Sequence, residues 1–137
     1  MTGSPFGTLH HIGLVVPELQ PTVDNLCALL RGRVVDEGQD EPLAAAWTWI
    51  ESEANPITEV VAPIDASGPI ATYLARHGPG LHHVSFRPER LDDALAHVRD
   101  CGFGVIGEDR SHSGFEEFFV APAATGHALL HAFRELG

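Results

Sequence analysis

The chain has 137 residues, enough for about one compact domain and too few for multidomain machinery. Eight basic residues against nineteen acidic ones give a formal net charge of −11, and all eight are arginines, so lysine Schiff-base chemistry is excluded. A field of that sign repels phosphate backbones and anionic lipid, which sets nucleic acid and membrane surfaces aside as partners.

Hydrophobic residues make up 44% and charged residues 20%, the composition of a chain able to bury a core. Cys27 and Cys101 fall on two different predicted helices and form no disulfide framework, which fits a reducing setting. Met1-Thr-Gly-Ser-Pro-Phe-Gly lacks the basic region and apolar run of a signal peptide, and no stretch approaches the ~18 apolar residues of a membrane span. A soluble, cytoplasmic protein is the expectation.

In chain order, the pattern predicts a strand over 9–16 and an amphipathic helix over 19–31 with Leu19, Val23, Leu26 and Leu30 on one face. Strands follow at 33–38, 45–51 and 57–62. A connection over 63–80 carries a short helix around 70–76 between prolines and glycines. Then come a strand over 81–87, a helix over 91–101 with Leu91, Ala94, Leu95 and Val98 inward, and strands near 103–108, 115–121 and 127–133.

The order βαβββ therefore occurs twice, and the residues repeat with it. Leu9-His-His-Ile-Gly-Leu returns 72 positions on as Leu81-His-His-Val-Ser-Phe. Module one covers about 9–62 and module two about 81–133 of a single domain spanning 1–137. Each half has too little core to stand alone, so the expected fold is α+β, two tandem βαβββ modules forming a curled mixed sheet around a central metal cavity.

Strand alternation puts Ile12, Leu14 and Val16 on one face, against the helix, and His11, Gly13 and Val15 on the other, toward a cavity. His83 holds the equivalent place above Ser85 and Arg87, while His10 and His82 point the opposite way as structural residues. Glu59 interrupts an apolar run 48 positions after His11, and 48 positions after His83 stands His131. His11, Glu59, His83 and His131 thus form two pairs of equivalent positions around one point. Imidazoles and a carboxylate converging in an apolar cavity suit a divalent transition metal (Ni, Co, Fe, Mn or Zn) better than oxygen-loving Mg or Ca. The alternative is that each polar group is hydrogen-bonded within an ordinary core.

These residues resemble the vicinal oxygen chelate superfamily, in particular its methylmalonyl-CoA epimerase-like and glyoxalase-like members. The matching stretches are Leu9-His-His-Ile-Gly-Leu-Val-Val, Glu59-Val-Val-Ala-Pro, Ser67-Gly-Pro-Ile-Ala-Thr-Tyr-Leu, Gly78-Pro-Gly-Leu-His-His-Val-Ser-Phe-Arg and Ser113-Gly-Phe-Glu-Glu-Phe-Phe-Val-Ala-Pro. The resemblance implies a divalent metal held by His11, Glu59, His83 and His131. It implies enolate chemistry of the isomerase, epimerase or lyase kind on a small-molecule substrate, with a homodimer as a compatible assembly.

Two departures stand out. Family members commonly place a carboxylate where this chain has His131, and epimerases carry a further glutamate on the third strand, where Pro42-Leu-Ala-Ala-Ala-Trp-Thr-Trp has none. Together with the few cations available to a CoA pyrophosphate, this argues against methylmalonyl-CoA epimerase activity itself.

Proton transfer would then fall to His131, a residue type whose ordinary titration spans neutral pH, or to Glu59. Trp47 and Trp49 alternate on the strand facing Glu59, which favours an apolar or aromatic substrate, core packing or a subunit interface being the alternatives. Arg87 is placed to clamp a substrate carboxylate if it faces the cavity, and is surface otherwise. Phe115 joins the candidate substrate contacts, although Phe115, Phe118 and Phe119 together read first as core. Ser111-His-Ser-Gly reads as a mobile loop at the cavity mouth, and Glu116 and Glu117 read first as a solvated pair of charges, the alternative being that alternation points one of them inward. Two rival functions follow from the same residues: an Fe(II) dioxygenase, or a resistance-type protein that sequesters a small molecule without turnover.

Overall fold

The structure, a computed structural model, describes residues 3–112, 114–126 and 128–136, the side chains of 111 and 112 excepted. The elements are β1 (Thr8–Val15), α1 (Leu19–Leu30), β2 (Arg33–Asp40), β3 (Ala45–Glu51), β4 (Ile57–Pro63), α2 (Pro69–His77), β5 (Gly80–Arg87), α3 (Leu91–Asp100), β6 (Val105–His112), β7 (Phe115–Val120) and β8 (Leu129–Glu135). The α+β class and the doubled βαβββ order are those expected from the sequence. Among the described residues no helix is long and apolar enough to cross a membrane.

The chain divides into two compact units, His11–His82 and a second made of Met1–His10 with His83–Gly137. In the first, the strands run β2-β3-β4-β1, antiparallel except where β1 lies parallel to β4. A parallel pair needs a crossover, and α1 opens it. Val16, Ile50, Val60 and Ala62 pack with Val23, Leu19, Leu26 and Cys27 on the α1 side of this sheet. Leu30, expected on that face, is half-exposed, and Cys27 takes the inward place one turn earlier. α1 stops where Arg31 enters the left-handed region at φ 50° and the Gly32 amide closes onto the Cys27 carbonyl.

The opposite face buries Val15, Ala45 and Val61 against Ile70, Tyr73 and Leu74 of α2. Val60 and Val61 are therefore both buried although alternation sends them to opposite faces, and the first unit's sheet is covered on both sides over this stretch.

In the second unit the strands run β5-β8-β7-β6, with β5 parallel to β8 and the rest antiparallel. Leu91, Ala94, Leu95 and Val98 of α3, the four residues read as inward from their spacing, bury against Phe118, Val120 and Ala132. Asp92 and Asp93 lie in the first turn of α3 and His97 and Arg99 in its last, the arrangement that favours its dipole.

β6 and β8 sit later than the pattern suggested, while β7 begins where expected. β6 extends four residues past the expected end, so residues 111 and 112 belong to a strand rather than a loop; Ser113 of that expected loop and His127 of the expected last strand lie outside the described residues. β6 is irregular, with register shifts on either side of Asp109 and Gly107 at φ 62°, and such bulges blur a period-two reading.

Candidate metal and proton-transfer centre

His11, His83 and His131 are the buried histidines among the described residues, at 2%, 8% and 8% exposure. In the first unit, β1–β4 register sets Gly13 beside Glu59 and β3–β4 register sets Trp49 beside Glu59. His11 Nε2 stands 3.6 Å from Glu59 Oε1. Trp49 donates its indole N–H to Glu59 Oε2 over 2.7 Å, and its ring lies 5.6 Å from that of His11. Trp47 stacks at a tilt on Trp49, 5.2 Å away, and packs into the cluster beneath α2. His11, Glu59, Trp47 and Trp49 are thus on one face, as strand alternation required.

In the second unit, β5–β8 register pairs Ser85 with His131, and the Ser85 hydroxyl meets His131 Nδ1 at 2.6 Å. One ligand nitrogen of His83 and one of His131 lie within 4.8 Å of one another. Phe119 stacks on the His131 ring at 4.5 Å and 26°, and Phe133 lies parallel to it at 5.6 Å and 6°. Between these rings and Ser85 the imidazole is fixed in orientation, with Nε2 turned away from Ser85.

That nitrogen meets Glu117, whose Oε1 accepts from Nε2–H at 2.7 Å. The solvated pair expected at Glu116 and Glu117 is therefore corrected: alternation sends Glu116 to Arg110 at 3.3 Å and Glu117 to His131. Phe119 is likewise not core, for it faces His131 while Phe118 carries the core. The signal lay in Phe115-Glu-Glu-Phe-Phe-Val, where burial of Phe118 and Val120 leaves Phe115, Glu117 and Phe119 for the other face. Phe115 packs edge-on against Phe133 at 5.9 Å. The Arg87 guanidinium pairs with Glu135 at 2.9 Å, and the residue lines an open groove beside α3 with Gly7, Arg90 and His97. His10 rests against Phe133 and His82 against Tyr73.

Every buried side-chain nitrogen and oxygen among the described residues has a hydrogen-bond partner. What suits this set to an ion is its chemistry: each unit offers an imidazole Nε2 facing a carboxylate oxygen. Such a donor set takes a divalent transition metal.

Residues 10–121 match the Glyoxalase/Bleomycin resistance protein/Dioxygenase superfamily, and the chain belongs to it. The vicinal oxygen chelate resemblance read from the repeat is thereby confirmed. The ethylmalonyl-CoA/methylmalonyl-CoA epimerase of Cereibacter sphaeroides is 27% identical over 109 residues, 79% of this chain and 81% of that protein. The methylmalonyl-CoA epimerase of Mycobacterium tuberculosis has the same fold, with a TM-score of 0.89 at 21% identity over 100% of this chain and 93% of that one. A Streptomyces coelicolor methylmalonyl-CoA epimerase variant in complex with 2-nitronate-propionyl-CoA gives 0.82 at 21% identity, over 96% and 99%. These relatives are enzymes.

Proposed function

We propose that the chain is a divalent-metal-dependent enzyme that moves a proton at a carbon next to a carbonyl, an epimerase or isomerase acting on a small acyl substrate. The observation that carries this reading is that each unit sets a buried imidazole against a carboxylate, His11 against Glu59 and His131 against Glu117. His11, Glu59, His83 and His131 are the residues proposed to hold the ion, each histidine offering one ring nitrogen. Holding one ion would make the two modules a single functional domain. A bound transition metal supplies a Lewis acid that polarises a substrate carbonyl, worth several kcal/mol of charge stabilisation.

The chain's own groups supply the rest. Glu59 and His131 are the proposed proton carriers. Trp49 holds Glu59 through Oε2 and leaves Oε1 toward His11, so the carboxylate is oriented before any substrate arrives. Trp47, Trp49 and Phe115 offer apolar surface to an acyl chain, and Arg87 a cation to a substrate anion. The names of the relatives point to a carbon flanked by a thioester carbonyl, and we place the reaction in that class although this chain has no carboxylate between Glu41 and Glu51, so that proton transfer rests on Glu59 and His131.

The test is solvent exchange: metal-loaded protein in D2O with methylmalonyl-CoA or ethylmalonyl-CoA, followed by mass and NMR analysis of the acyl carbon next to the thioester. Catalytic deuterium uptake, lost in Glu59→Gln, is expected. Tight binding of such thioesters by metal-free protein with no exchange in the loaded protein would overturn the reading in favour of sequestration.

A further inference from the structure

This inference rests on the metal-dependent reading above and deepens it. We propose that Glu117 is a second carboxylate ligand of the same centre, contributed by β7. The β7–β8 register pairs Phe119 with His131 and Glu117 with Phe133, so Glu117 stands one pleat along from His131 on the same face. Phe119, Phe133 and Ser85 fix the ring, leaving Nε2 as the nitrogen an ion could reach. An ion taken up there enters beside the Glu117 carboxylate.

Each pair is within about 0.3 Å of the spacing that donors to one ion adopt. Two donors about 2.1 Å from one cation, at octahedral to tetrahedral angles, lie roughly 3.0 to 3.4 Å apart. The His131–Glu117 separation of 2.7 Å and the His11–Glu59 separation of 3.6 Å fall on either side of that range. Charge points the same way: three imidazoles and one carboxylate leave a divalent ion with a net positive charge among buried groups, and a second carboxylate removes it. Uptake needs no loss of a proton from the ring. The proton on Nε2 is exchanged for one on Nδ1, which then donates to Ser85 Oγ, since a hydroxyl accepts as readily as it donates.

Co2+ alone is the probe, titrated into metal-free full-length protein by calorimetry and by visible absorption. Glu117→Gln is expected to raise the Co2+ dissociation constant at least about tenfold and to shift the ligand-field bands, while Glu117→Asp keeps bands of the parent type. Glu116→Gln, on the opposite face, should change neither, and circular dichroism checks that each variant folds. Unchanged bands in Glu117→Gln, whether or not affinity falls, would overturn ligation by Glu117 while leaving the metal site standing. No Co2+ uptake by the parent protein would overturn both.

Discussion

Glu59 is held by two partners that do different things: Trp49 fixes one carboxylate oxygen over 2.7 Å, and the other faces His11. Trp49→Phe keeps the aromatic packing but leaves a half-buried carboxylate short of a donor. We expect about 1 to 3 kcal/mol lost from unfolding stability, read by urea denaturation, because hydrogen bonds to charged groups are worth that much. Asp65 gives a simpler case at the surface. The Ser67 hydroxyl, and after it the Ser67 amide, donate to Asp65 Oδ1 at 2.7 and 2.9 Å and hold its carboxyl below the ordinary value. A depressed carboxyl stabilises the fold above the ordinary aspartate range and loses that contribution as pH falls through its own lowered value. An NMR titration should find Asp65 low and Ser67→Ala returning it upward; no movement would contradict the assignment.

At the scale of elements, the two long helices show how far spacing reaches. The four inward residues of α3 were legible because 3–4 residue spacing on a helix has a single solution. In α1 the last of them was misplaced, since Arg31 and Gly32 end the helix there and leave Leu30 half-exposed. Burial separates the consequences of substitution: Leu95→Ala should cost about 2 to 5 kcal/mol and Leu29→Ala less than about 0.5 kcal/mol by thermal or chemical denaturation. Leu95 is 4% exposed and Leu29 79%. The strands were less legible where they bulge. Glu117 was missed because two adjacent glutamates fit either face until the register of β7 against β8 is known, and the bulged β6 gave no steady alternation to settle it.

For the molecule as a whole, the repeat was the most informative feature of the sequence, for it singled out His11, Glu59, His83 and His131 as candidates and pointed to the superfamily that the chain belongs to. It could not locate Glu117, because a residue that breaks the repeat is invisible to an argument from equivalence: where β7 carries Glu117 opposite Phe133, β3 carries Trp47 opposite Val61. The two halves are chemically different as well, with the Trp49 indole holding the Glu59 carboxylate in one and the Glu117 carboxylate meeting the His131 imidazole in the other. Elemental analysis of protein purified without added metal, beside Glu59→Ala, tests the central claim most directly. Close to one transition-metal ion per chain in the parent and a large loss in the variant is the predicted result. Metal-free parent protein that takes up no Ni2+, Co2+, Fe2+, Mn2+ or Zn2+ on dialysis would contradict it.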